Sequence, residues 1–540
     1  MRGIDVRAMR PAAMLLIGLL GLAGQARATG YRIAGTVVNA LTGEPVRGAA
    51  VAALTVEDSR SVASTETGEN GRFAMDGLPA AKYQLTASRR GYCTGFYDQH
   101  DYYNTAIVTG EGQQTDNLVF RLTPGAVLSG VVTEDGGDAA EGATVMLFEK
   151  PHRHEPGEKI EEVDTAETDD TGAYEFGGLR PGEYLLAVKA QPWYAMNRPP
   201  GRAPETEAEA ALDVAYPITF YDSTTEEGSA TPIAIAGGDR VEANISLHAV
   251  PAVHLVVDEP VKQDGAVPRP DLQQTVFGME LPEGSEQVEM EAKAGKTEVS
   301  GLAPGHYEIT VGEPPRVLEL DAAGSSEVDA ALGAPTVAVN GVVEAAAGAT
   351  LTGQLAVTLT RADGADGRSA ELSAAISGGT FTFPSVPAGA WELRVDGQGG
   401  TLPVMRVSAG GRTLAGDRVT VADRPLSLGV TVSASATRVE GFARRDGKAA
   451  SGVLVALIPK QPGKTASLAR RDQSDSDGSF GLLNVAPGDY TVVAIADGWD
   501  LDWSDPAVIG RYLPGGIAVT VKDGLDNRVQ ISEAVPVQER

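Results

Sequence analysis

Gly71-Arg72-Phe73-Ala74-Met75-Asp76-Gly77-Leu78-Pro79-Ala80-Ala81-Lys82-Tyr83-Gln84-Leu85 is the stretch on which the fold turns. It carries a glycine, apolar residues at +2 and +4, an aliphatic at +7, an aromatic at +12 and another aliphatic at +14. The spacing recurs from Gly172, Gly295, Gly379 and Gly478, with rings at Tyr184, Tyr307, Trp391 and Tyr490. The +7 residues are Leu78, Leu179, Leu302, Val386 and Val485; the +14 residues are Leu85, Leu186, Ile309, Leu393 and Val492. Two places before the ring sits Ala81 in the first copy, and Gly182, Gly305, Gly389 and Gly488 in the others. Fixed spacing over five copies marks a repeated structural unit.

The physics of the block is readable. The leading glycine suits a turn position with φ > 0. Alternation at +2 and +4 lays one face of a strand on a core. A Pro-Gly or Ala-Gly pair then turns the chain, and the next strand points its ring and the aliphatic two places on to the same inward face. This is the arrangement of the tyrosine corner of β-sandwiches, in which the ring is buried and its hydroxyl ties down nearby backbone. Trp391 has no hydroxyl, so its copy must lose that bond or remake it.

Upstream of four blocks lies a short β-run with a central glycine, at Gly35, Gly130, Gly341 and Gly441; the third copy has Val253-His254-Leu255-Val256-Val257 instead. The rings are 101, 123, 84 and 99 residues apart, the size of one small sandwich each. The expected organisation is therefore all-β: five tandem antiparallel β-sandwiches after a leader. The boundaries are 1–28, 29–123, 124–250, 251–334, 335–432 and 433–540. Junctions are short and often carry Pro (Pro124, Pro251, Pro335). That predicts a semi-rigid rod with a length on the order of 150 Å.

Composition agrees. The chain has 540 residues; Gly (65) plus Pro (32) makes 97, and 22% are charged, so it is turn-rich but foldable. A net charge of −29 disfavours nucleic acid, whose phosphates need basic patches. Arg2, Arg7 and Arg10, the apolar run Ala12 to Gly24 and Ala26-Arg27-Ala28 read as a secretory signal peptide cleaved after Ala28. Its loss removes four Arg and one Asp, leaving 40 basic and 72 acidic residues and a net of −32. No second apolar run is long enough to span a bilayer, so the mature chain is expected without a transmembrane span. Cys93 has no intrachain partner for a disulfide and reads as a small buried residue.

The string Gly35-Thr36-Val37-Val38, then Gly43-Glu44-Pro45-Val46-Arg47-Gly48-Ala49, Gly71-Arg72-Phe73 and Tyr83-Gln84-Leu85-Thr86-Ala87 resembles the carboxypeptidase regulatory-like domain. Gly130 to Ala187 and Gly441 to Ala494 are similar to it as well; the third and fourth copies match mainly in the glycine-to-ring block. The resemblance implies a transthyretin-like (prealbumin-like) sandwich, grouped with carbohydrate-binding-like folds. It further implies a tandem array of the kind found in exported bacterial proteins, usually without catalysis. The family name does not imply peptidase activity, and the family supplies no fixed binding residues.

Motifs for chemistry are weak. No zincin motif, nucleophile elbow or complete phosphate-binding loop is present. His152-Arg153-His154-Glu155 contains the His-x-x-Glu of metallocarboxypeptidases, but sits between Pro151 and Pro156 in a charged hairpin insert and reads as a solvated loop. Asp169-Asp170-Thr171-Gly172 and Asp475-Ser476-Asp477-Gly478 suit calcium by composition but lack the full loop pattern, and read as hairpin turns. No cofactor, metal or catalytic residue is expected.

Aromatic residues after the ring strand are the binding candidates: Tyr102 and Tyr103 in the first unit, Trp193 and Tyr194 in the second, Trp499 and Trp503 in the fifth. Flat rings at a sandwich end suit sugar faces or peptide side chains. Phe96-Tyr97-Asp98 recurs as Phe220-Tyr221-Asp222, which points instead to packing. The expectation is an exported, non-enzymatic, monomeric binding or scaffold protein whose partner is carbohydrate or a cell-envelope or extracellular protein. A passive spacer and a zinc hydrolase using His152, His154 and Glu155 are the rivals.

Overall fold

A computed structural model describes residues 30–540 apart from 152–159, 196–205, 259–269, 283–288, 294–295, 313–314, 347–350, 352, 363–370, 398–399, 415, 434–436, 461–467, 504 and 523–527. Residues 1–28, read above as a signal peptide, the His152–Glu155 motif and Gly295 fall outside the described residues. The chain is all-β, as its patterning predicts.

Strand Lys82–Ser88 shows how sequence becomes core. Tyr83, Leu85 and Ala87 alternate with more accessible neighbours and point inward. It pairs antiparallel with Ala50–Thr55, which pairs with Ser61–Glu66. The facing sheet places Tyr31–Asn39 between antiparallel Arg72–Leu78 and parallel Leu118–Leu122. The two sheets meet at Ile33, Val51, Phe73, Tyr83 and Leu85. The same two-sheet scheme recurs: Gly182–Lys189 pairs with Thr144–Lys150 opposite Ala126–Thr133 with Ala173–Leu179, and Gly488–Ile495 with Leu454–Pro459 opposite Arg438–Arg445 with Ser479–Leu482.

Each of the five rings lies on a strand, at most 3% exposed, in its own hydrophobic cluster. First to fifth unit below denote the cores around Tyr83, Tyr184, Tyr307, Trp391 and Tyr490. Every ring closes its corner onto the carbonyl four residues back. Tyr83 Oη donates to Pro79 (3.1 Å), Tyr184 to Arg180 (2.9 Å), Tyr307 to Ala303 (2.7 Å) and Tyr490 to Ala486 (2.8 Å). Trp391 remakes the bond with its indole: Nε1 donates to Pro387 O at 3.0 Å. Burial pushes the Tyr184 hydroxyl up to about 12, so it stays a donor. The leading glycines adopt positive φ, 72° at Gly71 and 75° at Gly172. Their carbonyls accept from Val37 and Val132, locking the hairpin to the opposite strand.

A second device was not read in the sequence. Four residues before the glycine, the first, second and fifth units carry a buried hydroxyl: Thr67, Thr168 and Ser474. Each donates to a carbonyl (Val46, Ala140, Ala450) and accepts an N–H (Ala49, Ala143, Val453). The hydroxyl thus stitches the hairpin to the turn between the first two strands.

Junctions are short and bonded. Cys93 N donates to Thr123 O, and buried Cys93 Sγ lies 3.3 Å from Leu179 O. Strand Ala334–Ala345 pairs first with Arg316–Ala322 of the third unit and then with Leu426–Val432 of the fourth, so one sheet runs through both. The linear rod expected from the short junctions is not what the chain forms. The fifth unit folds back and docks on the first, because its Ser474–Gly478 hairpin finds bonding partners on the Asp98–Val108 segment.

Candidate functional site

The dock is built from segments far apart in sequence. Strand Lys82–Ser88 and the loop after it present Lys82, Asp98, His100 and Thr105; the fifth unit presents Gln473, Asp475 and Ser476. Asp475 Oδ2 is 2.5 Å from Lys82 Nζ, and Oδ1 accepts from Ala106 N (3.1 Å). Ser476 N donates to Ala106 O (2.9 Å), and Val108 N to Ser476 Oγ (2.8 Å). Gln473 Nε2 donates to Thr105 Oγ1 (2.7 Å) and Asp98 O, which leaves Oε1 to accept from His100 Nδ1 (3.1 Å). Burial raises the Asp475 carboxyl above the usual range despite the Lys82 ammonium. Asp472, half-buried beside it, is pushed up to about 7: burial outweighs the Gly481 N–H it accepts, and Asp475 adds its repulsion.

Over this polar seam lies an aromatic stack. His100 is parallel to Trp499, with centroids 5.0 Å apart and planes at 8°; Tyr103 leans on Trp499 at 5.5 Å. The Arg471 guanidinium sits 5.3 Å from the Tyr103 ring centroid and 4.5 Å from that of Trp503. Trp499 Nε1 donates to Gly452 O. Trp503 is buried with Ile509 on the outer face of the fifth unit's sheet. Tyr102 projects to solvent, 84% exposed.

Beside the stack opens a cleft of about 770 Å³ lined by the first, second and fifth units, among them Cys93, Tyr102, Arg121, Glu161, Arg180, Trp499 and Trp503. A second cleft of about 510 Å³, lined by Arg445, Lys448 and Asp497, shares Asp98, His100 and Trp499 with it. The structure thus brings together Tyr102, Tyr103, Trp499 and Trp503. Trp193 and Tyr194 stand apart, edge to face at 5.8 Å, with Trp193 81% exposed. The Phe96-Tyr97 and Phe220-Tyr221 pairs take the same place: Phe96 faces Thr86 and Phe220 faces Ala187 on the ring strand.

The acidic turns have local partners. Asp169 Oδ1 accepts from Thr171 N, Thr171 Oγ1 and Ala173 N, bonds that hold its carboxyl below the usual range. Among the described residues no group of three or more His, Cys, Asp or Glu is placed to hold a metal. No helix among them is long and apolar enough to cross a membrane. A buried carboxylate–imidazole–hydroxyl relay, unread in the sequence, joins the second and third units: His254 Nε2 is 2.7 Å from Asp213 Oδ2 and Nδ1 is 3.0 Å from Ser300 Oγ. Ser300 is fully buried, so the relay serves as a pin rather than presenting a nucleophile. Its members are 41 and 46 residues apart, and no local motif announces them.

No curated protein matches the chain. Among solved structures, the minor pilin GBS52 of Streptococcus agalactiae is similar at 16% identity over 41% of this chain and 97% of its own, with a TM-score of 0.21. A streptococcal ancillary pilin is 11% identical (56% and 99% covered, TM-score 0.19), and BcpA, the major pilin subunit of Bacillus cereus, 12% (58% and 100%, TM-score 0.14). The carboxypeptidase regulatory-like domain family matches residues 32–123 and 127–247. With their two-sheet cores, ring corners and hydroxyl stitches in register, these two stretches are tandem carboxypeptidase regulatory-like domains.

Proposed function

We propose that the chain is an exported, non-catalytic binding or scaffold protein of the cell envelope. Its ligand, a carbohydrate or a protein segment, is held in the cleft between the first, second and fifth units. One observation carries this reading: aromatic loops near opposite ends of the sequence converge on one opening. A passive spacer would be served by length, and docking the fifth unit on the first shortens the molecule. The five sandwiches bounded at 123, 250, 334 and 432 act in this reading as the frame that sets the cleft walls.

The test is a screen of the mature chain against arrays of glycans and of envelope-protein peptides, run in parallel with Trp499→Ala and Trp193→Ala. The reading expects a ligand whose binding Trp499→Ala weakens at least tenfold while Trp193→Ala leaves it within about twofold. A ligand lost only with Trp193→Ala would move the site to the second unit. No ligand for any form would favour the spacer.

A further inference from the structure

The cleft's charge and its own packing narrow the ligand class. Among the described residues, Asp98, Asp101, Glu149, Glu161, Asp500 and Asp502 line it against two guanidinium groups, Arg121 and Arg180. Arg540 offsets one of these carboxylates, at 3.1 Å from Asp500. A cleft of low-dielectric walls with one dominant sign of charge concentrates ligands of the opposite sign. Inside the same cluster the protein already houses a cation: Arg471 lies over the rings of Tyr103 and Trp503. The aromatic–acidic wall is therefore chemically fit for a guanidinium or ammonium group, through cation–π attraction and carboxylate pairing together. The two clefts abut at the His100–Trp499 stack, offering a run longer than one side chain. An extended peptide, advancing about 3.4 Å per residue, can lie along both with its cationic side chains in the first, since Arg445 and Lys448 line the second against Asp98, Asp446 and Asp497.

Resting on the reading of this cleft as the binding site, we infer that its occupant is an extended basic segment of a partner protein, not a neutral or anionic glycan. The acidic rim supplies attraction and orientation, and the aromatic wall takes one or two Arg or Lys side chains. Because the walls belong to three units, the bound segment also bridges them.

The experiment uses the mature chain and two defined probes: a capped hexa-arginine peptide and neutral chitohexaose, titrated calorimetrically at about 50 and about 300 mM salt. Glu149→Gln/Glu161→Gln removes two rim charges on the second unit without changing side-chain shape. Glu66→Gln/Glu175→Gln removes two exposed charges that do not line the cleft. The peptide is expected to bind, to weaken roughly tenfold in the rim variant, to stay within about twofold in the control, and to weaken with salt. Equal weakening in rim and control variants shows only general attraction to a polyanion and overturns the proposal. Chitohexaose binding abolished by Trp499→Ala, without rim dependence of the peptide, overturns the cationic assignment and leaves the cleft as a binding site. Neither probe depending on rim or Trp499 overturns both.

Discussion

The corner ring is the smallest unit of explanation. A tyrosine and a tryptophan do the same work because each puts an X–H donor within reach of the carbonyl four residues back. Tyr490→Phe strands the Ala486 carbonyl and is expected to cost about 1–2 kcal/mol. Trp391→Phe loses the bond and leaves a void, for about 2–4 kcal/mol; urea unfolding of both variants checks the order. Asp472 gives a pH signature. Its carboxyl titrates near 7 when folded and near the ordinary 3.8 when unfolded, so folding takes up a proton between those values. The stability it contributes is complete below the unfolded value and is lost as pH rises towards 7. Asp472→Asn should therefore flatten the fall of melting temperature between about pH 4 and pH 7. An unchanged slope would contradict the burial that raises it.

At the level of elements, the hairpin shows what a sequence reader gains and misses. Glycine, alternation and ring are legible because each obeys a short-range steric rule, seen at the four described glycines and at all five rings. The hydroxyl at −4 was equally visible, yet it occurs in only three, since Glu291 and Ala375 take its place elsewhere. Its role also depends on a turn some 20 residues upstream. Thr168→Val keeps the shape but leaves Ala140 O and Ala143 N without their partner; a loss of about 2–3 kcal/mol is expected. Thr168→Ser should retain most of the stability, and chemical denaturation of the pair separates shape from bonding. The central glycine of the first strand has a simpler reason: a Cβ on Gly35 would meet the Leu118 carbonyl of the neighbouring strand.

Across the whole molecule, the dock between first and fifth units was not legible. Its partners are some 370 residues apart, and Asp475 and Ser476 read as an ordinary hairpin turn. The site was half legible: four of the six aromatic candidates meet, but nothing local says that Trp499 faces His100. Lys82→Glu places like charges together at a contact whose Asp475 side is half-buried and whose Lys82 side is exposed, and should weaken docking by about 1 kcal/mol. Small-angle scattering should record a larger radius of gyration, and Lys82→Glu/Asp475→Lys should recover only part of the compact value, since a lysine at 475 cannot accept from Ala106 N. Tension has a distinct route through this architecture. A pull on the first and fifth units loads the polar seam first, because the seam closes the loop of chain that holds the three intervening units. The seam then behaves as a mechanical fuse that yields first, pays out the hidden length of those units and spares their cores.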